Sequence, residues 1–481
     1  MLKSSFVILL IAMLSVGAVA QTAGNAGHDI AVSLTPVKNQ WVYLGFYYGK
    51  IKALADSTRL DNNSAGHFKG EDRLPGGIYF LVSPKKEILF EILIDKNQHF
   101  SIKADSANLP AGISFDGSLT NQQFQKYSLF AGVNGSEMAA LQQKLAEHPA
   151  KPDSVAIIQR SKVLSQKMQQ YRDSAIKADD SSFLALLFKA MKEPEIPPAS
   201  SHPGGKYDSQ YAFQYYRAHY WDGISFADER LVRTPFFEQK VDKYFQELVV
   251  PQADSIIREV DNMLLQARTS NEMFQFLLVK FVQQYVNPQY MGHDAVFVHL
   301  FEKYINAGRA PFFTAQYREF IDKRAYSLMA NLIGKPAADL QLVDTSGKQR
   351  SLYEIKAPYT VVVFWDPTCG HCKEVVPKVD SIFKAKWAKM NIKVFGVKVD
   401  GSREEWIKFI QEHDLRNWEH VYQTTAQHDE ESKAGRPNFR QLYDVYSTPM
   451  LYLLDKDKKI LAKKLTYLQI DDVINVKSRK S

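Results

Sequence analysis

Val361-Val-Val-Phe-Trp-Asp-Pro-Thr-Cys-Gly-His-Cys-Lys-Glu-Val-Val-Pro377 holds both cysteines of a 481-residue chain, Cys369 and Cys372. Val361 to Trp365 are β-branched or aromatic with no polar interruption, the pattern of a central parallel strand buried on both faces. The cysteines then fall at the carboxyl end of that strand and in the first turn of the next helix. There, unpaired amide N–H groups and the positive end of the helix dipole favour a thiolate over a thiol. A free thiol with pKa about 8.5 is mostly protonated at neutral pH, whereas cysteines in such motifs range from roughly 3.5 to 7.5. Cys369, nearer the helix start, is expected to be the attacking sulfur. Cys372, one turn inside, is expected to resolve a mixed disulfide by attacking back.

Other uses of a Cys-x-x-Cys stay open at this point. It is half a zinc site, but the chain has no second cysteine pair and no histidine pair at structural-zinc spacing, so no metal is expected. A purely structural disulfide across so short a loop would add little stability. His371, between the cysteines, is either a solvated loop residue or a partly cationic imidazole that stabilises the thiolate and makes the pair a better oxidant. No cofactor is expected.

The stretch resembles thioredoxin-fold disulfide oxidoreductases. Trp365 stands four residues before Cys369, as that family's active-site tryptophan does, and Pro377 takes the place of the proline that kinks its first helix. Ser447-Thr-Pro-Met-Leu-Tyr-Leu-Leu454 is similar to the family's cis-proline loop leading into a strand. The resemblance implies a cis Thr448-Pro449 bond that holds the Thr448 backbone against a redox disulfide, Cys369–Cys372, free to pair with an incoming peptide. Residues 340–343 and 349–352 around Asp344-Thr-Ser-Gly347, with 392–399 as a strand, 403–413 as a helix and 419–438 as an insertion, resemble the TlpA/ResA branch of exported thiol reductants. One position departs from thioredoxins: Val363 stands where they bury a carboxylate six residues before the first cysteine. Asp400, Glu404 and Glu405 are candidates to supply that acid from beyond the next strand.

Length predicts about three domains, at roughly 150 residues each. Sixty Lys and Arg against 53 Asp and Glu give a net charge of +7, mild and scattered, which argues against nucleic acid; the basic run at 477–480 reads as a solvated tail. Residues 1–20 have the layout of a signal peptide, with Lys3, an apolar run over 6–16 and Ala18-Val-Ala20 before Gln21. The expectation is export, to the periplasm of a Gram-negative bacterium, with an uncleaved N-terminal anchor as the alternative. No later run reaches the about 18 apolar residues of a membrane span.

The remaining organisation reads as a β domain over 29–118, an antiparallel sandwich or barrel, then an α-helical domain over 119–331 and an α/β thioredoxin-like domain over 334–481. Short aromatic-rich strands are expected at 41–48, 78–82, 88–94 and 99–103. Tyr47-Tyr-Gly-Lys50 and Leu74-Pro-Gly-Gly-Ile-Tyr79 resemble the β domain that precedes thioredoxin domains in many exported proteins of Gram-negative bacteria. Helical periodicity covers 122–146, 155–192, 236–265, 272–285 and 294–306, interrupted by a Pro- and Gly-rich loop at 193–205. His293 and His299 are six apart, off a common helix face, and read as structural.

The resemblance implies a thiol-disulfide oxidoreductase that reduces protein disulfides and is itself re-reduced by a membrane-embedded electron donor. A disulfide isomerase or oxidant is the alternative within the class. From another class comes an envelope ligand-binding protein with a regulatory or vestigial dithiol.

Overall fold

The computed structural model describes residues 27–479; the expected signal at 1–20 and Lys480 lie outside them. The described residues cluster into two units, 27–249 with 263–276, and 250–262 with 277–479.

In the first unit, strands β1 (His28–Thr35), β2 (Trp41–Tyr48), β3 (Ile51–Arg59), β4 (Ala65–Gly70), β5 (Gly77–Val82), β6 (Ile88–Ile94), β7 (His99–Asp105) and β8 (Ile113–Asp116) form two four-stranded sheets. Their orders are β4-β1-β7-β8 and β3-β2-β5-β6. Pairing is antiparallel except between β1 and β7, a departure that periodicity cannot reveal because the two strands lie far apart in sequence. Ile30, Val42, Tyr79, Ile92 and Ile102 fill the space between the sheets. The opposite face of the second sheet is apolar as well, and Ile78, Phe80 and Val82 pack there with Phe124, Phe183 and Phe188. A helix cover therefore explains why β5 is buried at every position.

That cover comes from α1 (Leu119–Ala146), α2 (Lys151–Ala178) and α3 (Phe183–Ala190), followed by α4 (Ser209–Ala218) and α5 (Phe237–Lys243). The stretch expected as one helix over 155–192 breaks where Asp179 turns extended and Ser182 caps α3, its hydroxyl accepting from the Ala185 amide at 3.0 Å. The stretch over 236–265 breaks before Pro251, which has no N–H to continue a helix. Helices α6 (Ala253–Ala267) and α7 (Asn271–Tyr285) contribute residues to both units.

The second unit holds α8 (Asp294–Leu300), α9 (Ala315–Met329), β9 (Gln341–Asp344), β10 (Gln349–Ser351), β11 (Tyr359–Trp365), α10 (Gly370–Ala385), β12 (Lys393–Lys398) and α11 (Arg403–Glu412). It continues through β13 (Glu419–Tyr422), α12 (Thr425–Lys433), α13 (Phe439–Leu442), β14 (Met450–Asp455), β15 (Ile460–Lys463) and α14 (Tyr467–Ser478). The sheet order is β10-β9-β13-β12-β11-β14-β15, with β11 parallel to β12 and antiparallel to β14. Period-two alternation sends Val361, Val363 and Trp365 to the layer of α10, α11 and α14, and Val362 and Phe364 to the layer of Tyr443 and Phe439. Residues 419–422, expected within an insertion, are instead a sheet strand parallel to β12. Among the described residues no helix is long and apolar enough to cross a membrane.

Buried charge ties α8 and α9 to this sheet, across the boundary expected near Gly334. The Lys463 ammonium donates to Asp294 and, at 2.7 Å, to the Asn331 carbonyl. Asp444, fully buried, accepts from Arg324 and Lys464. Burial lowers the Lys463 pKa while Asp294 works to hold the charge. Cutting the chain before Gly334 would return these groups to water, whereas removing one partner would strand the other in the interior. Asp294→Ala in the full chain should therefore cost about 3–5 kcal/mol, seen as a lower denaturant midpoint, and adding Lys463→Met should restore most of it. An unchanged midpoint for Asp294→Ala would mean that Lys463 reaches water.

Candidate active site

The site is built at the carboxyl end of β11. Asp366 closes the strand with a side-chain turn, its Oδ1 accepting from the Thr368 amide at 2.8 Å and hydroxyl at 2.7 Å. The Cys369 amide donates back to the Asp366 carbonyl at 3.2 Å, and Cys369 becomes the N-cap of α10. Both cysteines are free thiols. They differ sharply in surroundings: Cys369 is partly exposed, while Cys372 is fully buried in the same core cluster as Trp365 and Val376. A Cβ on Gly370 would meet no atom within 4 Å, so the space over the first turn is open.

Burial opposes ionisation at Cys369, but the amides of Cys372 and His371 and the hydrogen bond with Thr448 outweigh it, and the thiol pKa falls below its ordinary value. The thiol takes no capping hydrogen bond as such; the amides act by lying close to a sulfur about to become charged. At Cys372 burial wins, and its pKa is pushed up to about 12 despite an N–H from Asp366 at 3.4 Å. Polarity between the two sulfurs thus comes from the cap amides at Cys369 and from depth at Cys372.

Thr448-Pro449 is cis, and the Thr448 carbonyl lies 3.5 Å from the Cys369 sulfur. Pro377 stands inside α10, one turn and a half past Cys372. Trp365 is wholly buried, its ring tilted against Phe409 with centroids 5.1 Å apart, so it supports the site from below rather than lining it. His371 is exposed, and its backbone N–H favours the Cys369 thiolate.

None of the three candidate acids bonds to either sulfur. Asp400 accepts from Arg440 at 2.6 Å, Glu405 closes a capping box with Ser402 at the start of α11, and Glu404 is exposed in that first turn. Val363 is buried mid-sheet and supplies no carboxylate. Sequence reasoning passed over Lys398, which pairs in register with Trp365 at the same sheet end and donates to the Gly401 carbonyl at 2.5 Å. Burial lowers its pKa, with Asp400 and Asp366 opposing. A lone cation ending an apolar strand was the available signal. His293 and His299 are held by the Pro251 carbonyl at 3.1 Å and by Asp261 at 2.9 Å, and among the described residues no group of His, Cys, Asp or Glu is placed to hold a metal.

Comparison with known proteins adds the following. The AhpC/TSA family model matches residues 333–463, and that of a domain of unknown function, DUF5106, matches 156–312. The thiol-disulfide oxidoreductase ResA of Bacillus cereus is 23% identical over 131 residues, covering 27% of this chain and 68% of that protein. A solved domain of a possible thiol-disulfide isomerase from Cytophaga hutchinsonii shares 36% identity, covers 31% of this chain and 95% of its own, and has a TM-score of 0.27. A thioredoxin-like protein from Bacteroides caccae shares 20% identity over 60% of this chain and 99% of its own, with a TM-score of 0.44.

Haloacetamide at neutral pH should alkylate Cys369 and spare Cys372. The rate at Cys369 should rise with pH through a midpoint below that of a free thiol. His371→Ala should leave that midpoint nearly unchanged, because the side chain is exposed and the backbone N–H is kept. Equal labelling of the two sulfurs would refute the assigned polarity.

Proposed function

We propose that this chain, a TlpA/ResA-like thioredoxin-fold oxidoreductase acting on protein thiols, reduces client disulfides in the periplasm through Cys369 and Cys372. The observation that carries the reading is the contrast between one reachable, acidified sulfur and one buried sulfur on the same helix turn. The Cys369 thiolate attacks one sulfur of the client disulfide, and the other client sulfur leaves as a thiolate. Cys372 then gives up its proton, attacks the Cys369 sulfur and frees the second client thiol. Two electrons have passed to the client, and the chain is left with a Cys369–Cys372 disulfide.

With no carboxylate bonded to Cys372, the departing client thiolate is the base at hand; with a free-thiol pKa of about 8.5 it takes the Cys372 proton only uphill, so the transfer is coupled to the attack of Cys372 on the Cys369 sulfur. The Asp366 amide steadies the Cys372 thiolate once formed. Thr448 presents its backbone beside Cys369 for the incoming peptide, and Trp365, Pro377 and Pro449 hold the frame. Turnover requires a reductant; a membrane-embedded dithiol donor fits the proposed compartment. Support for export is the signal-like pattern at residues 1–20.

Cys372→Ser should accumulate mixed disulfides with client proteins through Cys369, while Cys369→Ser should accumulate none, and only the unaltered chain should turn over insulin reduction. Equal capture by both variants would sink the sulfur roles. Efficient capture without any insulin reduction would favour a binding protein with a regulatory dithiol.

A further inference from the structure

Within the second unit, a groove of about 820 Å³ opens between α9, α12 and the segment that precedes the Thr448-Pro449 loop. We infer that this groove receives the stretch of client polypeptide flanking the client's cysteine and favours acidic side chains there. The inference rests on the exchange reading above and adds a client class to it.

Position comes first. Tyr446 lines the groove and stands two residues before Thr448, whose carbonyl lies 3.5 Å from the Cys369 sulfur. Two peptide units of 3.8 Å keep the Tyr446 Cα within about 7.6 Å of the Thr448 Cα, a span that two or three residues of extended peptide cover. The groove edge at Tyr446 is thus within reach of a flank of a client held at Cys369.

The lining suits such a flank. Tyr446 and Tyr326 are 75% and 63% exposed, large rings left in water at a concave surface. Tyr446 is not loose: its ring lies 5.9 Å from the Arg324 guanidinium, which is itself fixed by Asp444 and by the Val286 carbonyl at 3.0 Å. The titratable groups facing the groove are Lys323, His428, Glu431 and Arg436. Glu431 already accepts from Gln423 at 2.6 Å. Arg436 and Lys323 hold only exposed ion pairs, with Glu430 and Glu319, and such pairs exchange readily for a better anion. The groove thus offers two exchangeable cations and two aromatic platforms to a carboxylate-bearing segment.

The test uses the full chain and synthetic peptides whose single cysteine is joined to thionitrobenzoate. The Cys369 thiolate attacks the peptide sulfur, the lower-pKa thionitrobenzoate leaves and is read by its absorbance, and Cys372 then frees the peptide thiol. Peptides carry two Glu or two Lys on the amino or on the carboxyl side of the cysteine. We expect the acidic peptide to react about tenfold faster than the basic one for one flank only, and Arg436→Glu with Lys323→Glu to reverse that order. Absence of any charge preference, an equal preference on both flanks, or a preference that survives the reversal would overturn the groove. No reaction with any peptide would overturn the exchange reading and the groove with it.

Discussion

Everything at the site depends on one junction, where a strand buried on both faces runs straight into a helix whose first amides have no partner. Because Trp365 and Val363 are locked into the core, the chain leaves the sheet at a fixed place, and Cys369 falls at the helix cap rather than inside it. One further turn carries Cys372 into the same core. Two identical side chains three residues apart are thereby given opposite acidities, one by unpartnered cap amides and the other by burial.

That junction was legible in the sequence because its causes are local. An unbroken apolar run, a Cys-x-x-Cys and a helical pattern with an inner proline together specify strand, cap and helix, and β11 and α10 follow them. Strands β2 and β6 were legible for the same reason. Strand β1 alternates cleanly, with Ile30, Val32 and Leu34 turned inward, whereas β3 and β4, richer in polar and small residues, carry weaker alternation.

What was not legible depends on partners distant in sequence. Glu405 looks like a candidate acid until Ser402 claims it for a helix cap, and Asp400 until Arg440 arrives from beyond β13. The peptide N–H of His371 bears on the Cys369 sulfur, a contribution that the identity of the side chain does not announce. The link of α8 and α9 to the sheet, through Lys463 with Asp294 and Asp444 with Arg324, joins residues more than a hundred positions apart. Such pairs leave no periodic trace, although a charge inside an apolar strand, such as Lys463 in Ile-Leu-Ala-Lys, is a sign that a partner must exist.

These ties also set where the helical segment sits within the second unit. They hold α9 beside the loop that carries Tyr446 and Thr448, so a domain whose chemistry is complete in itself gains a wall contributed by the preceding helices. The central claim, that backbone amides at the α10 cap stabilise the Cys369 thiolate and hence the reduced pair, is most directly tested by equilibrating the full chain with glutathione redox buffers and reading the Cys369–Cys372 potential. The account predicts a value less negative than the about −270 mV of thioredoxin; a value more negative than that would contradict it.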